Sequence, residues 1–163
     1  MSVVRKLLVP FLALVVVPAA TAGFSVTLNT TSPQTFAAIT LSGVDQTKTL
    51  PITITVANTG GTNGTGWSVT AAAAAPTSAA GTLLPLQVTA VSAAPCTGSC
   101  VQPTNNVSVP VTLSSTAAKI YNAAAGTGTG SVVLTATLQM TYDAKALPAT
   151  YTSSLTVTGS TSP

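Results

Sequence analysis

The stretch SVVLTATLQMTY, from Ser131 to Tyr142, decides the fold class. Val132, Leu134, Ala136, Leu138, Met140 and Tyr142 fall in one phase, and Thr135, Thr137, Gln139 and Thr141 in the other. A period of two is the signature of a strand with one apolar face, because successive side chains leave a strand on opposite sides. Threonine suits the outer face, being both β-branched and polar.

The same pattern spreads outward along the chain. In Pro51 to Ala57, Ile52, Ile54 and Val56 alternate with Thr53 and Thr55. In Asn106 to Leu113, Val107, Val109, Val111 and Leu113 share a phase, and in Thr150 to Thr158 so do Tyr151, Ser153, Leu155 and Val157. Shorter strands are expected at Phe24 to Leu28, Thr35 to Leu41, Trp67 to Ala73 and Leu84 to Ala93. Proline, glycine and serine clusters separate them, at Ser32-Pro33, Ser42-Gly43, Asn58 to Gly66, Pro76 to Gly81, Pro95 to Pro103, Ala125 to Gly130 and Leu147-Pro148. No helical pattern competes beyond a single turn at Ala71 to Ala75, which Pro76 would stop. That most strands have one apolar face argues against a buried parallel sheet. The expectation is an all-β domain, an antiparallel β-sandwich of the Ig-like or Greek-key type with about eight or nine strands.

Met1 to Ala22 reads as a secretory signal peptide: Arg5 and Lys6, then an apolar run from Leu7 to Val17, then small residues at Ala20-Thr21-Ala22. The apolar run is shorter than the roughly 20 residues a membrane span needs. The expected mature chain is Gly23 to Pro163, one domain, with no transmembrane segment and, lacking a sorting motif or apolar tail, no covalent anchor.

Past the leader the only charged side chains are Asp45, Lys48, Lys119, Asp143 and Lys145. The formal net charge of +3 comes mostly from Arg5 and Lys6, so it does not mark a partner of nucleic acid. A surface of hydroxyls and amides approaches other surfaces at little cost in charge desolvation. This composition fits a wall, matrix or assembly. The chain holds no histidine and no glutamate, which rules out a Ser-His-Asp or Cys-His arrangement. Paired carboxylates would have to be Asp45 and Asp143, which read more simply as turn residues. No enzyme, no cofactor and no metal site is expected.

Cys96 and Cys100 enclose Thr-Gly-Ser. In a secreted chain such a pair reads as a disulfide, worth about 2 kcal/mol by loop-closure entropy. The redox motif has two intervening residues, which weakens a redox or metal reading. Asn29, Asn63 and Asn106 each begin a glycosylation sequon, as expected by chance in so threonine-rich a chain.

The tract NTGGTNGTGW, Asn58 to Trp67, has no lysine or helix behind its glycines, so it reads as a turn and not a phosphate loop. Trp67, the one tryptophan, opens a strand in phase with Val69 and Ala71. That phase favours a core anchor over a stacking platform for a sugar ring.

Around this tryptophan GTGWSVTAAA resembles the first motif of the WxL domain of Gram-positive surface proteins. VSVPVTL and AKIYNAAAGTGTGSVVLTATLQMTYDAKALPATYTSSLTVTG are similar to the second half of WxL-like domains, and PCTGSC to a cysteine loop in some members. In that part Tyr121-Asn122-Ala123-Ala124 precedes a Gly-x-Gly turn, and Ala149, Tyr151, Ser153 and Leu155 match the family's ending. The first motif carries Val69 in place of leucine, and Leu155-Thr156-Val157 stands where a second tryptophan is expected. The resemblance implies a β-sandwich that binds the cell wall non-covalently, with peptidoglycan or another surface glycan as ligand. It makes Trp67, Val69 and Tyr151 the candidate ligand-binding residues. The alternative is a structural subunit joined to other surface proteins by β-strand addition, with Gly23 to Gln34 as the donated strand.

Overall fold

The computed structural model describes residues 11–17, 23–59, 65–96 and 99–163. The first ten residues of the expected leader, its end at 18–22, the centre of the glycine tract with Asn63, and residues 97–98 of the cysteine loop lie outside them.

Among the described residues there are twelve strands and no helix. They are β1 (Phe11–Val17), β2 (Phe24–Leu28), β3 (Gln34–Thr35), β4 (Gln46–Asn58), β5 (Trp67–Ala73), β6 (Thr77–Ser78), β7 (Gly81–Thr82), β8 (Gln87–Ala93), β9 (Val111–Thr112), β10 (Ala118–Ala123), β11 (Gly130–Tyr142) and β12 (Thr152–Ser160). One sheet runs β2-β4-β11-β8-β9 with every pair antiparallel. Its spine is the pairing of β4 with β11, thirteen residues each, in register from Gly130 opposite Asn58 to Tyr142 opposite Gln46. The other sheet runs β10-β5-β12-β1-β3, with β6 beside β12 and β7 beside β6. Its pairs are antiparallel except β1 with β12, which is parallel.

The two sheets share one core. Ile52, Ile54 and Val56 of β4 and the alternate residues Val132 to Tyr142 of β11 join Trp67, Val69, Ala71 and Ala73 of β5 and Leu155 and Val157 of β12. The sheets approach closely at Gly159 of β12, where an added methyl would collide with Val26 and Phe24 of β2. Glycine is required there because the facing sheet leaves no room for a side chain.

The all-β antiparallel-rich sandwich is as expected, with a strand count above the expected eight or nine. The strands outside the expected ranges are β1, β6, β7 and β10, and four segments differ locally from expectation. Of Asn106 to Leu113, only Val111–Thr112 joins a sheet. Upstream, the Asn106 amide is taken by the side chain of Asn122, and Val109 is exposed. Of Thr35 to Leu41, pairing is limited to Gln34–Thr35, while Phe36 and Ile39 plug the core at a spacing no strand would use. The alanine run belongs to β5 as far as Ala73 and forms no helical turn. Finally, Phe11–Val17 of the expected leader pairs as a strand along all seven residues of its length.

Candidate functional site

Trp67 of the first motif and Tyr121 to Ala123 of the second half meet at one corner of the seven-stranded sheet, while Tyr151 and Leu155 lie towards the other end of β12. β5 and β10 are neighbours, with Tyr121 opposite Val69 and Ala123 opposite Trp67. The Trp67 and Tyr121 rings stack with centroids 5.8 Å apart and planes at 28°, a separation at which aromatic pairs attract beyond their buried area. The indole Nε1–H donates to the Gly128 carbonyl at 2.7 Å, which satisfies the ring's one polar group. Gly128 has φ of 69°, and a methyl there would strike the indole and Ala123. Both features demand glycine.

The cysteine loop backs this corner. Cys96 and Cys100 form a disulfide with Cα atoms 6.2 Å apart. The Cys96 amide donates to Gln102 Oε1 at 2.9 Å, and Val101 bridges Thr129. The Gly128 amide donates to the Val101 carbonyl at 2.9 Å. A chain of contacts thus runs from the disulfide through Val101 and Gly128 to Trp67. On the other flank, Asn122, a buried polar residue, accepts from the Asn106 amide at 2.8 Å. The Asn122 amide in turn donates to Asn105 Oδ1 at 3.0 Å.

Trp67 and Val69 are 0% exposed and Tyr151 is 1% exposed. None of the three presents a side chain to a ligand. Trp67 is a core anchor, and the stacking-platform alternative does not fit this burial. The Tyr151 hydroxyl is spent on the Leu147 carbonyl at 3.0 Å. The carboxylates are also occupied locally. Asp45 Oδ1 accepts from the Ala144 amide and Asp143 Oδ1 from the Lys145 amide, each at 2.8 Å. These are turn-stabilising contacts. Among the described residues no three metal-ligating side chains come together. No helix among them is long and apolar enough to cross a membrane.

Two tyrosines carry perturbed phenols. Burial pushes Tyr121 above its ordinary value. Tyr142 is pushed up to about 12, first by burial and then by its Coulombic interaction with Tyr151. Among the described residues the Tyr142 hydroxyl is buried without a hydrogen-bond partner.

What the sequence did not reveal is the outer face of the five-stranded sheet. Register places hydroxyls side by side across it. Thr27 lies beside Thr55, whose neighbour on β11 is the exposed Val133. Thr53, Thr135 and Ser92 form the next row. Thr137 lies between Pro51 and Ala90, and Gln139 between Thr49 and Gln87. Rows of this kind repeat at about 4.8 Å between strands and about 6.7 Å along them. No charged side chain interrupts these rows. Alternation marks each outward threonine, but only pairing register shows that they align.

No protein-family model matches the chain, and no curated protein matches it.

Proposed function

We propose that the chain is a secreted, non-catalytic cell-surface module that binds cell-wall peptidoglycan or a related surface glycan without covalent attachment. The observation that carries this reading is the uncharged array of hydroxyls and amides, centred on Thr53, Thr135 and Ser92, across the outer sheet. Such groups donate and accept hydrogen bonds with sugar hydroxyls and peptide amides alike. Their regular spacing, held by a rigid sheet, lets many weak contacts act together along an extended polymer. The WxL resemblance supports the same reading, since its two halves meet as adjacent strands around Trp67 and Tyr121. In this reading the tryptophan builds the domain and the sheet face makes the contact.

The test is co-sedimentation with purified cell-wall sacculi. Wild-type chain should pellet with them, and Thr135→Lys, at an exposed position, should pellet less at unchanged melting temperature. Wild-type protein left in the supernatant would sink the reading.

The second reading, a subunit joined to other surface proteins by strand addition, is favoured by the parallel pairing of β1 on β12. Gly23 to Gln34 is a poor donor in it, because Phe24 and Val26 are core residues and β2 is paired with β4.

A further inference from the structure

The strand β1 occupies a slot with two walls. On one side it runs parallel to β12 from Phe11 opposite Thr152 to Val17 opposite Thr158. On the other, only Phe11 and Leu12 pair, antiparallel, with the two-residue β3, which has no other strand partner among the described residues. Leu12 is 1% exposed in the core, and Leu14 packs against it. The Leu14 amide donates to Ser32 Oγ at 3.1 Å. Yet this strand is the apolar stretch of what reads as a cleaved leader.

We propose that β1 is a placeholder: once the leader is removed, the slot between β12 and β3 accepts an extended, uncharged, aliphatic strand donated by another polypeptide. The inference deepens the second reading above and rests on cleavage of the leader. Removing β1 leaves the facing amides and carbonyls of β12 without ladder partners, and leaves a gap where Leu12 sat. A buried backbone edge and an apolar hole are both unfavourable. Water satisfies only the first, whereas a donated strand satisfies both.

The seated strand defines the chemistry of its replacement. The donor runs parallel to β12, places aliphatic side chains at the Leu12 and Leu14 positions, and carries no charge there. On the face of β1 opposite Leu12, Ala13 is exposed. Above Ala13 lies an open depression of about 520 Å³, bounded by Pro33, Ala74, Thr77 and Ser154. A donor with a larger residue at the Ala13 position fills it better and displaces the leader.

The experiment uses the full chain with a specific protease site placed at residues 18–22. The folded chain is cut and then titrated with a labelled peptide, FLALVVV flanked by lysines for solubility. We expect saturable exchange at one peptide per chain. A Leu12→Asp peptide should bind at least on the order of tenfold more weakly, and an Ala13→Met peptide should bind more tightly than the parent. Cut chain that binds no peptide overturns the slot, and cut chain that dimerises through β12 without peptide overturns the donated strand. Separately, N-terminal sequencing of the secreted protein should give Gly23. A chain that keeps its leader makes β1 a permanent strand and overturns the proposal even where exchange succeeds. Sacculus binding through the outer sheet is read by co-sedimentation, independently of both outcomes.

Discussion

Trp67 and Gly128 lie 61 positions apart in sequence, and the indole of one donates to the carbonyl of the other at 2.7 Å. The bond ties the start of β5 to the turn before β11. The pair is mutually dependent, because any side chain at position 128 would overlap the ring that makes the bond.

Replacing Trp67 with alanine should destabilise the fold by about 3–5 kcal/mol, the usual cost of emptying a large aromatic site. Gly128→Ala should also be strongly destabilising, through the collision with the indole and the positive φ. Urea unfolding measures both. As the single tryptophan, Trp67 also reports on itself: its emission should be blue-shifted and resist quenching by acrylamide, whereas strong quenching would contradict its burial.

Reducing the Cys96–Cys100 disulfide, or replacing both cysteines with serine, should cost about 2 kcal/mol by loop-closure entropy. Because Val101 follows the bridge and holds the Gly128 amide, Trp67 emission should respond to reduction before global unfolding. A loss confined to stability, with native-state emission unchanged, would mean the loop and the tryptophan are uncoupled.

Tyr142 sets an alkaline limit. Its phenol ionises at about 12 in the folded chain, against an ordinary value of 10.0. A folded value raised above the unfolded one means that the unfolded chain releases its proton first. The stabilising contribution is therefore complete below pH 10 and is lost as pH rises towards 12. Denaturation followed across that window should show stability falling. Tyr142→Phe should lessen the fall and cost little at neutral pH, since it removes a buried hydroxyl that has no partner among the described residues.

Gly159→Ala tests the contact between sheets. The new methyl would overlap Val26 and Phe24, so overpacking should cost about 1–3 kcal/mol. Trimming Val26 to alanine in the same chain should recover part of that loss, which a double-mutant cycle would measure.

β11 was legible in the sequence because one of its faces is wet, and β10 was not because both of its faces are buried. Leu134, Ala136 and Leu138 announce β11 because Thr135 and Thr137 between them face water. In β10 the run Ile120, Tyr121, Asn122 and Ala123 is buried throughout, so no alternation marks it. Only the family resemblance drew attention to those residues. The alternation in Asn106 to Leu113 misled for the opposite reason: side-chain amides of Asn105 and Asn122 supply the backbone's partners there. The phase of Trp67, shared with Val69 and Ala71, correctly pointed inward. The threonine rows were half legible, since each strand shows its outward set but nothing in one strand states its offset from the next.

The long ladder between β4 and β11 also has a mechanical meaning. Its hydrogen bonds lie across the strand axes, in unbroken register from Gly130 opposite Asn58 to Tyr142 opposite Gln46. Tension that slides the two strands past each other loads those bonds together in shear, where peeling from one end would break them one at a time. A domain held at a surface and pulled along β4 and β11 would therefore resist extension at its centre, and yield first at its short outer strands.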